Sequence, residues 1–137
     1  MNKEDFLREF MEEVWNKQGF DKVEKYVHNE YTIHLDNTDP WEGKTLSHIE
    51  FKERLGFSFN SFPDMNFEIT SSIPAENHVA INWILTGTNL GRIGGYPPTK
   101  KSIKTKGVTI YHFKDNLING HTQVFDRITV MKQLGFM

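Results

Sequence analysis

Near the N-terminus, Phe6, Leu7, Phe10, Met11, Val14 and Trp15 recur at helical spacing, with Lys, Glu and Arg between them. Asn2 and Asp5 offer a start signal, and Gly19 a left-handed stop. Asp21 then caps a short second helix that turns Val23, Tyr26 and Val27 inward. Tyr31 to Leu35 reads as a short strand, ended by the turn-rich Asp36-Asn-Thr-Asp-Pro40. A third helix is predicted to begin near Thr45 to Ser47 and to run through Ile49, Phe51, Lys52 and Leu55 to about Phe59, with Pro63 ending it.

Beyond Pro63 the period changes from helix to strand. Met65 to Ser72 forms one strand, and Val79, Ile81, Trp83 and Leu85 alternate along a second. A polar, glycine-rich loop, Leu90 to Thr99, is predicted as a mobile rim over a pocket mouth. Two further strands, Ile103 to Phe113 and Leu117 to Asp126, are joined by a tight turn at Lys114-Asp115-Asn116. Helices followed by a strand meander predict one α+β domain over residues 1–137, with helices covering one face of a curved antiparallel sheet. Such a sheet encloses a conical space suited to a small molecule.

In the final hairpin, pairing across the turn sets Phe113 near Ile118, Thr109 near Thr122 and Thr105 near Asp126. Alternation then puts Thr105, Thr109, Thr122, Val124 and Asp126 on one face, predicted as the pocket wall. Ile110, His112, His121, Gln123 and Phe125 take the other, predicted as an outer or subunit-contact face. A bulge in the hairpin would reverse this assignment locally. A carboxylate following Val124 and Phe125 is costly to bury unless paired or used, which makes Asp126 the first candidate for chemistry. The plainer reading is an exposed strand-end Asp paired with Arg127.

Composition narrows the chemistry. Net charge is −2 with a pI near 6.3, which speaks against nucleic acid as a partner, and Lys104 and Lys106 alternate as on a strand's wet face. No cysteine is present, so thiol nucleophiles, disulfides and cysteine metal sites are excluded. Nowhere do about 18 apolar residues run together, and the charged N-terminus has no signal-like apolar core, so no membrane association and a cytoplasmic location are expected. Eleven Phe supply enough rings to wall a cavity as well as fill a core, and Trp15 and Trp83 are predicted to serve both ends.

Of six histidines, His28, His48 and His78 lie in polar or turn contexts. His34, between Ile33 and Leu35, either meets a partner inside or is a satisfied structural histidine. Without a helical His-x-x-x-His or a carboxylate triad, no metal site is expected. Gly91 to Gly95 precedes prolines and a strand rather than a helix, so it is no phosphate loop. No serine occupies a nucleophile elbow. Cofactor-free acid–base chemistry on an apolar ligand, or binding alone, survives.

Several motifs occur in order along nearly the whole chain: Glu13-Val-Trp-Asn16…Gly19, Tyr31-Thr-Ile-His34, Phe62-Pro-Asp64, Trp83-Ile-Leu-Thr-Gly-Thr88, Gly94-Gly-Tyr-Pro-Pro-Thr99, and His121-Thr-Gln-Val-Phe-Asp126…Gln133-Leu-Gly135. Together they resemble the SnoaL-like polyketide cyclases, or ester cyclases, of the nuclear-transport-factor-2-like superfamily. The resemblance implies an α+β conical barrel, a homodimer through the sheet, and no metal or cofactor. It also implies one aspartate at the end of the last strand as acid and base in an intramolecular aldol closure, a position matched by Asp126, with the strand histidine matched by His34. Trp15, Trp83, Thr105, Thr109, Thr122 and Val124 would bind the substrate. Where relatives carry tryptophan after the last strand's histidine, this chain has Thr122, which would widen the pocket. The expected function is a cyclase-like, isomerase-like or lyase-like enzyme acting on a small apolar carbonyl compound. The alternative is a non-catalytic module of the same fold that binds a small apolar ligand or a protein.

Overall fold

A computed structural model describes all residues, 1–137. Helix α1 spans Lys3–Phe10, capped by the Asn2 side chain, and continues as a π-helical turn, Met11–Asn16. Its apolar stripe is buried through Leu7, Phe10, Met11, Val14 and Trp15, as the helical period requires. A 3₁₀ turn leads into the short α2, Val23–Tyr26. Helix α3, His48–Ser61, starts on a reciprocal capping box between Ser47 and Glu50.

The strands are β1 (Val27–Asp36), β2 (Thr45–Leu46), β3 (Asn66–Pro74), β4 (His78–Thr88), β5 (Ser102–Lys114) and β6 (Leu117–Phe125). They form one sheet of order β2-β1-β6-β5-β4-β3, whose concave side the helices cover. The α+β expectation holds, with one refinement: β1 runs parallel to β6, so the sheet is mixed. Asp115 and Asn116, both at positive φ, make the tight turn between β5 and β6, the twist that favours a hairpin.

A bulge next to that turn changes the register. Phe113 pairs with Ile118 as expected, but His112 pairs with Gly120, which leaves Asn119 as the extra residue. From there Thr109 faces Gln123, not Thr122, and Gly107 faces Phe125, so Asp126 falls beyond the pairing with Thr105. A one-residue slip turns every following side chain to the opposite face. Thr122 and Val124 therefore point outward, and Val124 is 74% exposed. His121 and Gln123 point into the concave side, and Phe125 packs on the core. The expected outer patch keeps only Ile110 and His112, gains Thr122 and Val124, and is extended by Val108.

The chain after β6, to which the sequence assigns no element, is helical. Helix α4, Arg127–Leu134, has Asp126 as its N-cap and ends at Gly135 with φ 82°.

Candidate functional site

Between the sheet and α3, α4 and the long loop lies a cavity of about 610 Å³, within the range of small-molecule sites. Its walls are mostly apolar, with Trp15, Phe57, Phe67, Trp83, Tyr111 and Phe125 among them. Trp15 is set in place by the neighbouring Asn16, whose side-chain amide pairs with both backbone groups of Phe67. Trp83 and Phe125 meet across Gly107, where an added Cβ would lie 2.3 Å from the indole.

One end of this cavity is ionic. A register shift in β1 between Ile33 and Leu35 turns Asp36 inward, and only 1% of it is exposed. Its carboxylate accepts from Arg54 Nη2 at 3.0 Å, Arg127 Nη2 at 2.8 Å, His121 Nε2 at 2.9 Å and Gln123 Nε2 at 3.2 Å. Burial pushes the Asp36 carboxyl up, but the His121 hydrogen bond and the Arg54 and Arg127 charges draw it net below its ordinary value. Arg54 also donates from Nη2 to Asp39 Oδ2 at 3.0 Å, and Asp39 Oδ1 accepts from the Trp41 backbone N–H at 2.8 Å. Two guanidiniums thus balance two carboxylates, which is what permits their burial.

His121 lies between Asp36 and Tyr31, whose hydroxyl is 2.5 Å from Nδ1. Burial lowers the His121 pKa more than Asp36 restores it, so the ring is neutral near pH 7. A neutral ring facing the Asp36 carboxylate carries its proton on Nε2, so Nδ1 accepts from Tyr31. A second relay runs beside the first: Trp83 Nε1–H donates to Thr109 Oγ1 at 2.8 Å, and that hydroxyl donates to Gln123 Oε1 at 2.7 Å. Gln123 Nε2 then returns to Asp36.

The structure gathers some of the sequence-predicted residues and scatters others. Trp15 and Trp83 line the cavity. Thr109 is fully buried behind it, and Thr105 is buried with its hydroxyl donating to the Asp126 carbonyl. Thr122 and Val124 lie on the outer face because of the Asn119 bulge. His34 is also outside, exposed, its ring stacked 4.6 Å from that of His112. Asp126 is exposed at the start of α4, where its carboxylate accepts from the Thr129 N–H and hydroxyl. Those bonds hold its pKa below the ordinary value, the opposite of what apolar burial would do. Arg127 reaches Asp36, not Asp126.

Asp36, Asp39, Arg54 and Gln123 carry the polar end, and none was among the residues expected to act on or bind a substrate. One signal was present. Arg54 sits on the stripe Phe51, Arg54, Leu55, Ser58, Phe59, so a cation falls on a helix face otherwise facing the core. Asp36 and Asp39 read as ordinary turn residues, and Gln123 was assigned to the other face.

Residues 6–134 match the SnoaL-like polyketide cyclase family. A candidate polyketide cyclase of Acidithiobacillus ferrooxidans is 35% identical over 99% of both chains, with a TM-score of 0.90. AclR, a candidate hydroxylase of Streptomyces galilaeus, is 20% identical over 98% of this chain and 96% of its own, at a TM-score of 0.80. IdmH, a candidate polyketide cyclase of Streptomyces antibioticus, is 21% identical over 98% and 99%, at 0.81. The two Streptomyces likenesses bear on the fold alone. No curated protein matches the chain. With nearly its full length matched and the fold shared, the chain belongs to the SnoaL-like polyketide cyclase family.

Proposed function

We propose that this protein is an acid/base enzyme that enolises a small apolar carbonyl compound without a cofactor, leading to ring closure, isomerisation or a related lyase step. The observation that carries the reading is an ionic cluster buried at one end of a cavity of about 610 Å³ with apolar walls. Enolisation needs a base, a donor for the oxyanion and exclusion of water, and fixed dipoles act most strongly where water is excluded. The β6 residues facing the cavity are His121, Gln123 and Phe125, so the carboxylate that lines the cavity comes from the loop after β1.

That same feature favours a second reading, a non-catalytic module that binds a small apolar ligand. Incubation with 2-tetralone and related apolar ketones in D₂O separates the two. Wild-type protein is expected to speed α-hydrogen exchange above the buffer rate. Saturable binding with exchange at the buffer rate would overturn the enzyme reading in favour of the module.

The working unit is proposed to be a homodimer through the convex face of the sheet. Val108, Ile110, Leu35, Ile73 and Val124 are 44%, 38%, 60%, 67% and 74% exposed there, a face too apolar to leave wet.

A further inference from the structure

Arg54 is 8% exposed and lines the cavity, yet both of its hydrogen bonds leave from Nη2. Its Nε is buried with no partner, and Nη1 donates to nothing in the protein. A guanidinium has five N–H donors, and unpaired ones in a dry site are costly, so Nη1 of the cavity-lining Arg54 asks for an acceptor from a ligand. Trp15 Nε1, from another residue lining the cavity, is a second buried donor without a partner.

The carboxylates beside Arg54 are not equivalent. Asp36 is saturated by four side chains, does not line the cavity and is held below its ordinary pKa. Asp39 lines the cavity, has a 14% exposed side chain and accepts only two hydrogen bonds. It follows Thr38, a β-branched residue at φ 70°, a conformation that persists only where its surroundings impose it. His121 has both ring nitrogens engaged, so it holds Asp36 and is no free base.

Resting on the enolisation reading, the geometry points to Asp39 and Arg54 as its catalytic pair, acting on an uncharged ketone or ester. The cluster balances its own charges, so a neutral carbonyl compound enters without leaving an unpaired ion. Its oxygen accepts from Nη1 of Arg54. Asp39 then takes the α-proton, the C–H electron pair becomes the enolate C=C, and the carbonyl π pair moves onto the oxygen held by Arg54. In a β,γ-unsaturated carbonyl compound, return of the same proton to the γ-carbon shifts the C=C into conjugation, re-forms the C=O and completes an isomerisation with nothing added. Asp36 is a positioning residue that fixes the Arg54 plane.

Substituted 2-naphthols, whose absorbance separates phenol from phenolate, serve as the oxyanion probe. Wild-type protein is expected to bind the phenolate form and lower the apparent pKa of the bound naphthol. Arg54→Gln is expected to abolish that shift, and retention of the shift would overturn the oxygen site. Asp39→Asn removes a competing negative charge and is expected to bind the phenolate tighter, whereas weaker binding would show Asp39 to be a mere clamp on Arg54 and overturn its role. In the exchange assay, Asp39→Asn should lose about 100-fold or more of the rate while keeping the far-ultraviolet circular dichroism of wild type. Undiminished exchange in Asp39→Asn overturns the pair and leaves the enolisation reading standing. No exchange by wild type overturns both.

Discussion

Replacing Asp36 by Ala is expected to be among the most damaging changes the chain can suffer, whereas Asp126→Ala should be mild. Asp36 is the common acceptor for Arg54, Arg127, His121 and Gln123. Its removal leaves Arg54, with a 10% exposed side chain, facing Asp39 alone, and leaves His121 Nε2–H unpaired in the interior. Hydrogen bonds to charged groups are worth about 1.5–3 kcal/mol each, but bonds sharing one acceptor do not add. Breaking a buried pair by deleting one partner costs about 3–5 kcal/mol, and that range is the one to use here. For a chain of this size, at about 4 °C per kcal/mol, the melting midpoint should fall by roughly 12–20 °C. Asp126 supplies only an exposed helix cap, so its replacement should shift the midpoint far less. Urea titration followed by far-ultraviolet circular dichroism, with thermal melts alongside, measures both variants. The pH dependence adds a check, because a carboxylate with a lowered folded pKa stabilises fully above its unfolded value and loses that contribution as pH falls through the folded one. The advantage of wild type over Asp36→Asn should thus hold above the ordinary value of 3.8 and shrink below it. A loss of under about 1 kcal/mol for Asp36→Ala, or a larger loss for Asp126→Ala, would refute the reasoning that the buried carboxylate organises the site.

Thr109→Val keeps the shape of a fully buried residue but strands Trp83 Nε1–H and Gln123 Oε1; a loss of about 1–3 kcal/mol is expected, with a change in tryptophan fluorescence. Burial and the neighbouring His34 and His78 push the His112 pKa down to about 4, from an ordinary 6.5. The unfolded chain takes up that proton first, so stability should be complete above pH 6.5 and decline between 6.5 and about 4, and His112→Gln should flatten this part of a melting-temperature profile. Ile110→Lys with Val124→Lys should convert a sheet-packed dimer to monomers by sedimentation without altering naphthol binding. A wild-type monomer at micromolar concentration would remove the dimer proposal.

Helical and strand periods are local, and the long ones were read as they stand, although Val27, read as helix, opens β1 and the two-residue β2 was not foreseen. The stripe from Phe6 to Trp15 and the alternation through Val79, Ile81, Trp83 and Leu85 both reappear as buried faces. Helix α4 had no assignment from the sequence, because Arg127-Ile-Thr-Val130 is rich in β-branched residues with weak helical preference. What makes it helical is the Asp126 cap and the left-handed Gly135.

By itself the sequence determined the α+β class, the single sheet, the aromatic lining at Trp15 and Trp83, and the family. These rest on hydrophobic period and on ordered motifs, both properties of neighbouring residues. Only the tertiary structure decided which side chains meet. The extra residue at Asn119 turned His121 and Gln123 inward and Thr122 and Val124 outward, and the shift after Ile33 did the same for Asp36. Strand side chains alternate with a period of two, so one inserted residue reverses a face, and whether it is inserted depends on pairing with a distant strand. The ionic cluster joins residues 36, 39, 54, 121, 123 and 127, which no local pattern connects. Buried charges are stable only in one another's company, so the site exists as a property of the folded chain.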